Sequence, residues 1–172
     1  MLSCWEVQRV DNLNQEVFYV QNPAIGAVSL WRFVYGYYTK CSEPVPFPLL
    51  FIVLPIVFRK SLRDVIKHTN RNSGLSKVSE KLFKDRKNDN LYSINNSAIA
   101  LRQLSLNSFG IAASANLITI DTSTAMVYPV NRTKKAPSNL HTKDIVDAAE
   151  KLGGWCAGLS LQEICNWLKV RF

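Results

Sequence analysis

The chain has 172 residues, of which 47% are hydrophobic and 20% are charged. This composition excludes a disordered protein, and the length allows one hydrophobic core that needs neither disulfides nor metal ions. The net charge of +8 indicates an acidic partner, which could be DNA or an acidic protein surface.

The first predicted element is an apolar helix from Pro23 to about Tyr38. Asn22 suits the N-cap, and Pro23 suits the first helical position, where no backbone N–H is needed. The small or polar residues recur every three to four positions and form one narrow stripe: Gly26, Ser29, Arg32 and Gly36. The rest of the helix is apolar, which predicts burial on nearly all sides. Because each interior glycine costs about 1 kcal/mol of helix stability, we expect another backbone close to the stripe and a carboxylate or carbonyl groups beside Arg32.

The next apolar segment is "PLLFIVLPIVFRK", residues 48–60. It is too short to cross a membrane, since a spanning helix needs about 20 apolar residues. The N-terminal stretch also lacks the apolar block of a secretory leader. We therefore predict a core helix over residues 49–58 that Pro55 kinks. The segment "SLRDVIKH" predicts a further helix, with Ser61 and Asp64 as a capping-box-like start.

Positive charge is concentrated in residues 59–89, which contain ten Lys or Arg and four acidic residues. Within this segment, "LSKVSEKLFKDR" predicts an amphipathic surface helix. Such a basic block attracts DNA phosphates or acidic protein surfaces, and the alternative is a solvated helix face without a specific partner. The candidate contact residues are Lys67, Arg71, Lys77, Lys81, Lys84, Arg86 and Lys87.

A helical segment and a β-hairpin are predicted between residues 93 and 130. The helical part is one long helix, or two helices that break near Asn107, and "LITID" and "MVYPV" are strands joined by "TSTA". Helix, helix, hairpin is the order of a winged helix, which often binds DNA. The second helix carries only Arg102 as a cation, so a role in protein docking or dimer stabilisation is an alternative.

Two helices are predicted near the C-terminus. The first, "TKDIVDAAEKLGGWCAGL", is interrupted by Gly153 and Gly154, and the second, "SLQEICNWLKV", opens with a capping box of Ser160 and Glu163. We therefore expect a mainly α-helical single domain over residues 1–172 with one β-hairpin. Its parts are an apolar helical core (21–70), a winged-helix-like region (75–130) and C-terminal helices (140–170).

The sequence predicts no catalytic site, metal site or cofactor. The four cysteines (Cys4, Cys41, Cys156 and Cys165) form no CxxC pair, and neither His68 nor His141 lies at a ligand spacing from them. A Cys–His nucleophile pair is the enzymatic alternative, but Cys156 and Cys165 lie in apolar helices, whereas a reactive thiol needs an electropositive setting. Free thiols are typical of a reducing compartment, so we expect a cytoplasmic protein. The sequence also has no Walker-type motif, no GxGxxG and no paired-carboxylate nuclease signature, so we expect that it is not an enzyme.

Two sequence blocks resemble the middle component of three-component ABC systems, the small subunit of Lamassu-type antiviral defence operons. They are "NPAIGAVSLWRFVYGYY" and "PFPLLFIVLPIVFRKSLR", and weaker similarity extends the resemblance over roughly residues 21–169. The positions that match the family pattern are Asn22, Pro23, Trp31, Arg32, Phe33, Tyr37, Pro48, Leu54, Pro55, Lys60 and Arg63.

The resemblance implies a non-enzymatic adaptor without membrane contact. It would link an SMC- or Rad50-like ABC ATPase, which senses foreign DNA, to an effector subunit, often a nuclease, that is held inactive until release. Most apolar matching positions are expected to be core residues. The residues expected to bind partners are Trp31, Arg32, Tyr35, Tyr38, Arg59, Lys60 and Arg63. The alternative is a stand-alone winged-helix DNA-binding protein.

Overall fold

The computed structural model of the chain describes residues 22–84, 88–132 and 142–171, and within these it leaves out the side chains of 82–84 and 88–93. The predictions for Cys4, Arg86, Lys87, His141 and the Lys84 side chain therefore lie outside the described residues. The described helices are α1 (Pro23–Cys41), α2 (Leu50–Val57), α3 (Lys60–Lys67), α4 (Gly74–Lys84), α5 (Asn88–Ala100), α6 (Arg102–Ser114), α7 (Lys143–Cys156) and α8 (Leu161–Leu168). The prediction of a mainly α-helical chain is confirmed.

Helix α1 lies at the centre of the fold, as its apolar sequence predicts. The side chain of Asn22 accepts hydrogen bonds from the N–H groups of Ala24 and Ile25, at 3.0 and 3.4 Å, and Pro23 occupies the first helical position. The helix packs most extensively against α7, and then against α6. Several of its apolar side chains are at most 1% exposed: Leu30, Trp31, Phe33 and Val34.

The predicted close approach of another backbone to the small-residue stripe of α1 is confirmed. A Cβ added at Gly36 would lie 2.2 Å from the carbonyl oxygen of Glu150 on α7. From the opposite side, a Cβ added at Gly153 would lie 2.1 Å from the carbonyl oxygen of Phe33 on α1. Only glycine allows this spacing between the two helices. The prediction that Gly153 interrupts α7 is therefore wrong, because that glycine serves the packing and the helix continues to Cys156.

Two helix boundaries also differ from the predictions. Helix α3 begins at Lys60 with Arg59 as its N-cap and without a side-chain cap, so the predicted capping box is wrong. The predicted break near Asn107 is also wrong, since α5 ends at Ala100 and α6 begins at Arg102. Asn107 stays helical because its side chain accepts a hydrogen bond from Gln103 at 3.0 Å, on the exposed face, instead of competing for the backbone. The predicted capping box at the start of α8 is confirmed.

In the described ranges, three strands form a small antiparallel sheet in the order β1-β3-β2. Strands β2 (Ile118–Asp121) and β3 (Met126–Pro129) are the predicted hairpin, and β1 (Val45–Pro46) pairs with the other edge of β3. Strand β1 was not predicted, because Pro46 within it and Pro44 before it indicate only an extended linker. The order helix, helix, hairpin is present in α5, α6, β2 and β3, while the winged-helix assignment and the division into three regions stay predictions.

The predicted apolar core helix is α2, which follows a 3-10 turn at Phe47–Leu49 and contains Pro55. A second 3-10 turn, Arg71–Ser73, joins α3 to α4 and lies beside α7. None of the helices in the described ranges has the length and apolarity needed to span a bilayer.

Candidate partner-binding surface

The predicted contact residues Trp31 and Arg32 lie inside the fold. Trp31 is 1% exposed, and its indole Nε1–H donates a hydrogen bond to the carbonyl oxygen of Asn131 at 2.8 Å. Arg32 is 4% exposed, forms an ion pair with Glu150 and lies over the ring of Tyr35, 4.3 Å from its centroid. Direct contact between a partner and either side chain would require α1 to separate from its neighbours.

Arg59 and Arg63 make hydrogen bonds that hold neighbouring helices together. Arg63 donates to the carbonyl oxygens of Val57 and Phe58, at 2.7 and 3.1 Å, where α2 ends. A cation at this position stabilises the unpaired carbonyl groups and the negative end of the helix dipole. Arg59 donates to the hydroxyl of Ser97 on α5 at 2.9 Å. Both arginines are therefore tied to the structure as well as partly exposed.

The remaining predicted contact residues are more accessible. Tyr38 is half-buried, and the guanidinium of Arg132 lies 4.7 Å from its ring centroid and donates to its hydroxyl at 3.3 Å. Lys60 is exposed at the start of α3. Together with Tyr35, these residues keep some surface available to a partner.

Glu150 connects a buried cation to an exposed one. One of its carboxylate oxygens accepts a hydrogen bond from Arg32, and the other accepts one from Arg71 at 3.2 Å. The side chains are 5% exposed at Arg32, 17% at Glu150 and 62% at Arg71. The ion pairs thus run from the centre of α1 through α7 to the surface turn that precedes α4.

Lys151 binds the carboxyl end of α3. Its ammonium donates hydrogen bonds at 2.7–3.0 Å to the carbonyl oxygens of Ile66, Lys67 and Thr69. Burial, followed by the positive charges of Arg71 and Lys81, lowers the pKa of Lys151. In the part of the chain that the structure describes, no carboxylate forms an ion pair with this ammonium, so its positive charge adds to the local potential.

Four candidate cations of the basic block have described bonding partners, two on α7 and two within the block itself. Their partners are Asp144 for Lys67, Glu150 for Arg71, Glu80 for Lys77, and the His68 carbonyl and Thr69 hydroxyl for Lys81. Lys67 and Lys77 nevertheless stay 52% and 54% exposed. Exposed ion pairs of this kind exchange readily with solvent, so these lysines remain available to a partner.

A cavity of about 250 Å³ lies between α1, the Arg71–Ser73 turn and α7, and we call it the Trp155 cavity. The indole Nε1–H of Trp155 donates to the carbonyl oxygen of Arg71 at 2.8 Å, which fixes the turn against α7. Three cations and one carboxylate line the cavity, so its wall has a net positive charge. The lining residues are Gly36, Thr39, Lys40, Arg71, Asn72, Glu150, Lys151, Gly154 and Trp155.

Sequence patterns did not reveal this cavity. Among its cations, only Arg71 belongs to the basic block, while Lys40 and Lys151 come from distant parts of the chain. They meet because the glycines at the α1–α7 contact bring the two helices together. No spacing or motif in the sequence carries that information.

The alternative of a cysteine-dependent enzyme does not fit the surroundings of Cys156. This thiol is fully buried, and burial raises its pKa to about 12, so it stays protonated and unreactive. Burial also raises the pKa of Cys165. Within residues 22–84, 88–132 and 142–171, no group of His, Cys, Asp and Glu side chains is arranged to hold a metal ion.

The chain matches one family model, described as ABC-three component (ABC-3C) system Middle Component 3, over residues 10–172. This range contains every described helix and strand and all residues of the Trp155 cavity. No significant match is found among curated proteins or among solved structures.

Proposed function

Because the chain belongs to the Middle Component 3 family of ABC-three component systems, we propose that it is the accessory subunit that links the ABC ATPase of such a system to its effector. In this proposal the subunit has no catalytic activity of its own. The ATPase is SMC- or Rad50-like, and the effector is of the nuclease type. The assembly resembles Lamassu-type antiviral defence, in which the effector stays inactive until foreign DNA is sensed.

The family match over residues 10–172 is the observation that carries this proposal, since a middle component acts together with other proteins. The surface chemistry supports it. Exposed cations at the end of α1, on α3, in the Arg71–Ser73 turn and on α4 add positive charge to the surface: Lys40, Lys60, Lys67, Arg71 and Lys77. A positive region speeds association with an acidic protein surface and selects against basic ones.

The contact between α1 and α7 supports a linking role in a second way. An adaptor must hold its two partners in a fixed relative position, which requires a rigid subunit. The glycine-mediated contact and the Arg32–Glu150 ion pair join the two helices over a buried surface. Close packing of this kind moves as a unit.

The alternative, a stand-alone winged-helix DNA-binding protein, has less support from the same surface. A recognition helix reads DNA through side chains that reach base edges and phosphates. Helix α6, the second helix before the hairpin, has Arg102 as its only Lys or Arg. DNA contact within the assembled complex remains part of the proposal, through the exposed lysines of α3 and α4.

Co-expression of the tagged chain with the two proteins encoded beside it tests the proposal. We expect both large subunits to co-purify with the tag at moderate salt, and a tagged unrelated basic protein of similar size is the control. Recovery of neither subunit would contradict the proposal.

The DNA-binding alternative is tested by measuring the affinity of the isolated chain for a short duplex as a function of salt concentration. Tight, sequence-selective binding without partners would favour the stand-alone alternative.

A further inference from the structure

We propose that the Trp155 cavity binds the carboxylate side chain of an Asp or Glu on a partner subunit. This inference deepens the proposed function and rests on it, since it names the chemistry of one contact between the chain and its partner. It assigns the contact to a cavity rather than to the exposed lysines of the basic block.

The cations in the cavity wall have hydrogen-bond donors available for a bound carboxylate. Lys40 is exposed at the rim and has no ion-pair partner among the described residues. Arg71 uses one N–H of its guanidinium for Glu150 and keeps a side chain that is 62% exposed. A guanidinium has five N–H donors, so further donors can reach a second carboxylate.

The carboxylate already present in the wall does not neutralise the cavity. Glu150 is shared between Arg32 and Arg71, so two cations compensate its single charge. Lys151 adds another positive charge to the wall, and its three carbonyl partners are neutral. Binding of a carboxylate would relieve the repulsion between Lys151 and Arg71, which at present contributes to the lowered pKa of Lys151.

The size of the cavity favours a single side chain. Pockets for small molecules usually measure about 300–1,000 Å³, whereas this one measures about 250 Å³. The apolar face of Trp155 can cover the methylene groups of a Glu or Asp while the cations meet the carboxylate. Duplex DNA instead presents a row of phosphates and binds by neutralising several of them along a surface. A concave site with room for one anionic group fits a protein partner better.

Carbodiimide cross-linking of the purified complex tests the chemistry directly, because this reagent joins a carboxylate to an adjacent amine without a spacer. We expect mass spectrometry to find Lys40 joined to an Asp or Glu of a partner subunit. The Lys40→Arg variant keeps the charge but cannot form the amide, so this cross-link should disappear while the complex persists. Cross-links at Lys77 and none at Lys40 would overturn the proposal.

A second test fills the cavity without changing its charge. A Cβ at Gly154 would lie 3.8 Å from its nearest neighbour, the carbonyl oxygen of Gly36, so Gly154→Leu can place its side chain in the open space. We expect this variant to weaken the affinity for the partner by at least about tenfold. Lys40→Glu should do the same, and Arg102→Glu, at an exposed residue of α6 outside the cavity, should change the affinity by less than about twofold. Thermal melts establish that each variant is folded.

The outcomes separate the two proposals. If wild-type chain binds no partner, the proposed function fails and the cavity assignment fails with it. If wild-type chain binds its partner and both cavity variants bind equally well, only the cavity assignment is overturned. Loss of duplex binding in Gly154→Leu with an intact protein complex would make a nucleic acid the occupant and overturn the assignment as well. Lys40→Glu keeps the test decisive if Gly154→Leu does not fold.

Discussion

The carboxylate of Glu150 forms an ion pair with the buried guanidinium of Arg32, and the backbone carbonyl of the same residue lies against Gly36. Side chain and main chain of one residue thus both hold α7 to α1. Since Glu150 also accepts from Arg71, this residue joins the core of the fold to the wall of the Trp155 cavity.

Replacement of Glu150 by Gln is expected to destabilise the fold strongly. Arg32 would keep its charge in a buried site and lose its carboxylate, and breaking a buried pair costs about 3–5 kcal/mol. Because Glu150 is 17% exposed, we expect the lower end of this range. Chemical denaturation measures the free energy of unfolding. The control is Asp144→Asn, which breaks the exposed pair with Lys67 at the start of α7 and should lower the free energy of unfolding by only about 1 kcal/mol or less. Equal stability of Glu150→Gln and wild type would contradict the role of this pair.

The neighbouring glycines of α7 should respond oppositely to alanine. A Cβ at Gly153 would overlap the carbonyl oxygen of Phe33, so Gly153→Ala should lower the free energy of unfolding by about 1–3 kcal/mol. At Gly154 the nearest contact is an ordinary 3.8 Å, so Gly154→Ala should be neutral or stabilise by up to about 1 kcal/mol. Chemical denaturation of both variants and wild type under the same conditions measures these changes in the free energy of unfolding. Equal effects at the two positions would show that the close approach of α1 and α7 is not what requires glycine.

Stability should decrease at alkaline pH because of Cys156. Burial raises its pKa from 9.0 to about 12 in the folded chain, so the folded state keeps a proton that the unfolded state releases. The stabilisation is complete below pH 9.0 and is lost as pH rises towards about 12. Tyr37, whose pKa is also raised to about 12, acts in the same direction above pH 10.0. Between pH 9.0 and about 12, the unfolding free energy of Cys156→Ala should therefore depend less steeply on pH than that of wild type. Parallel slopes for wild type and variant would rule out a contribution from this thiol.

Loss of the Arg63 side chain should destabilise the end of α2. Arg63→Ala leaves the carbonyl oxygens of Val57 and Phe58 without a charged donor, and such hydrogen bonds contribute about 1.5–3 kcal/mol. Lys77→Ala, at an exposed lysine paired only along its own helix, is the control and should have little effect. Hydrogen exchange of the α2 amides locates the change. Unaltered protection of α2 in Arg63→Ala would contradict a capping role.

The sequence was most informative where one local signal decides the structure. Asn22 followed by Pro23 predicted the start of α1, and Ser160 with Glu163 predicted the start of α8. The stripe with Gly36 predicted a close backbone, and a carboxylate or carbonyl groups for Arg32. Each of these depends on residues within a few positions of each other.

Features that arise from tertiary contact could not be predicted in this way. Gly153 reads as a helix breaker in sequence, but the carbonyl of Phe33 makes glycine necessary inside α7. Strand β1 forms by pairing with the second edge of β3, and Pro44 and Pro46 gave no sign of that pairing in the sequence. The Trp155 cavity depends on three separate segments, so its position became visible only in the folded chain.

The central claim, that this chain connects two larger proteins, is tested most directly by omission. The ABC ATPase and the effector that the proposal assigns to the complex are mixed with and without the chain, and their co-elution is followed by size-exclusion chromatography. Our account predicts a ternary complex when the chain is present and separate elution of the two large subunits when it is absent. Co-elution of ATPase and effector without the chain, to the same extent as with it, would contradict the account.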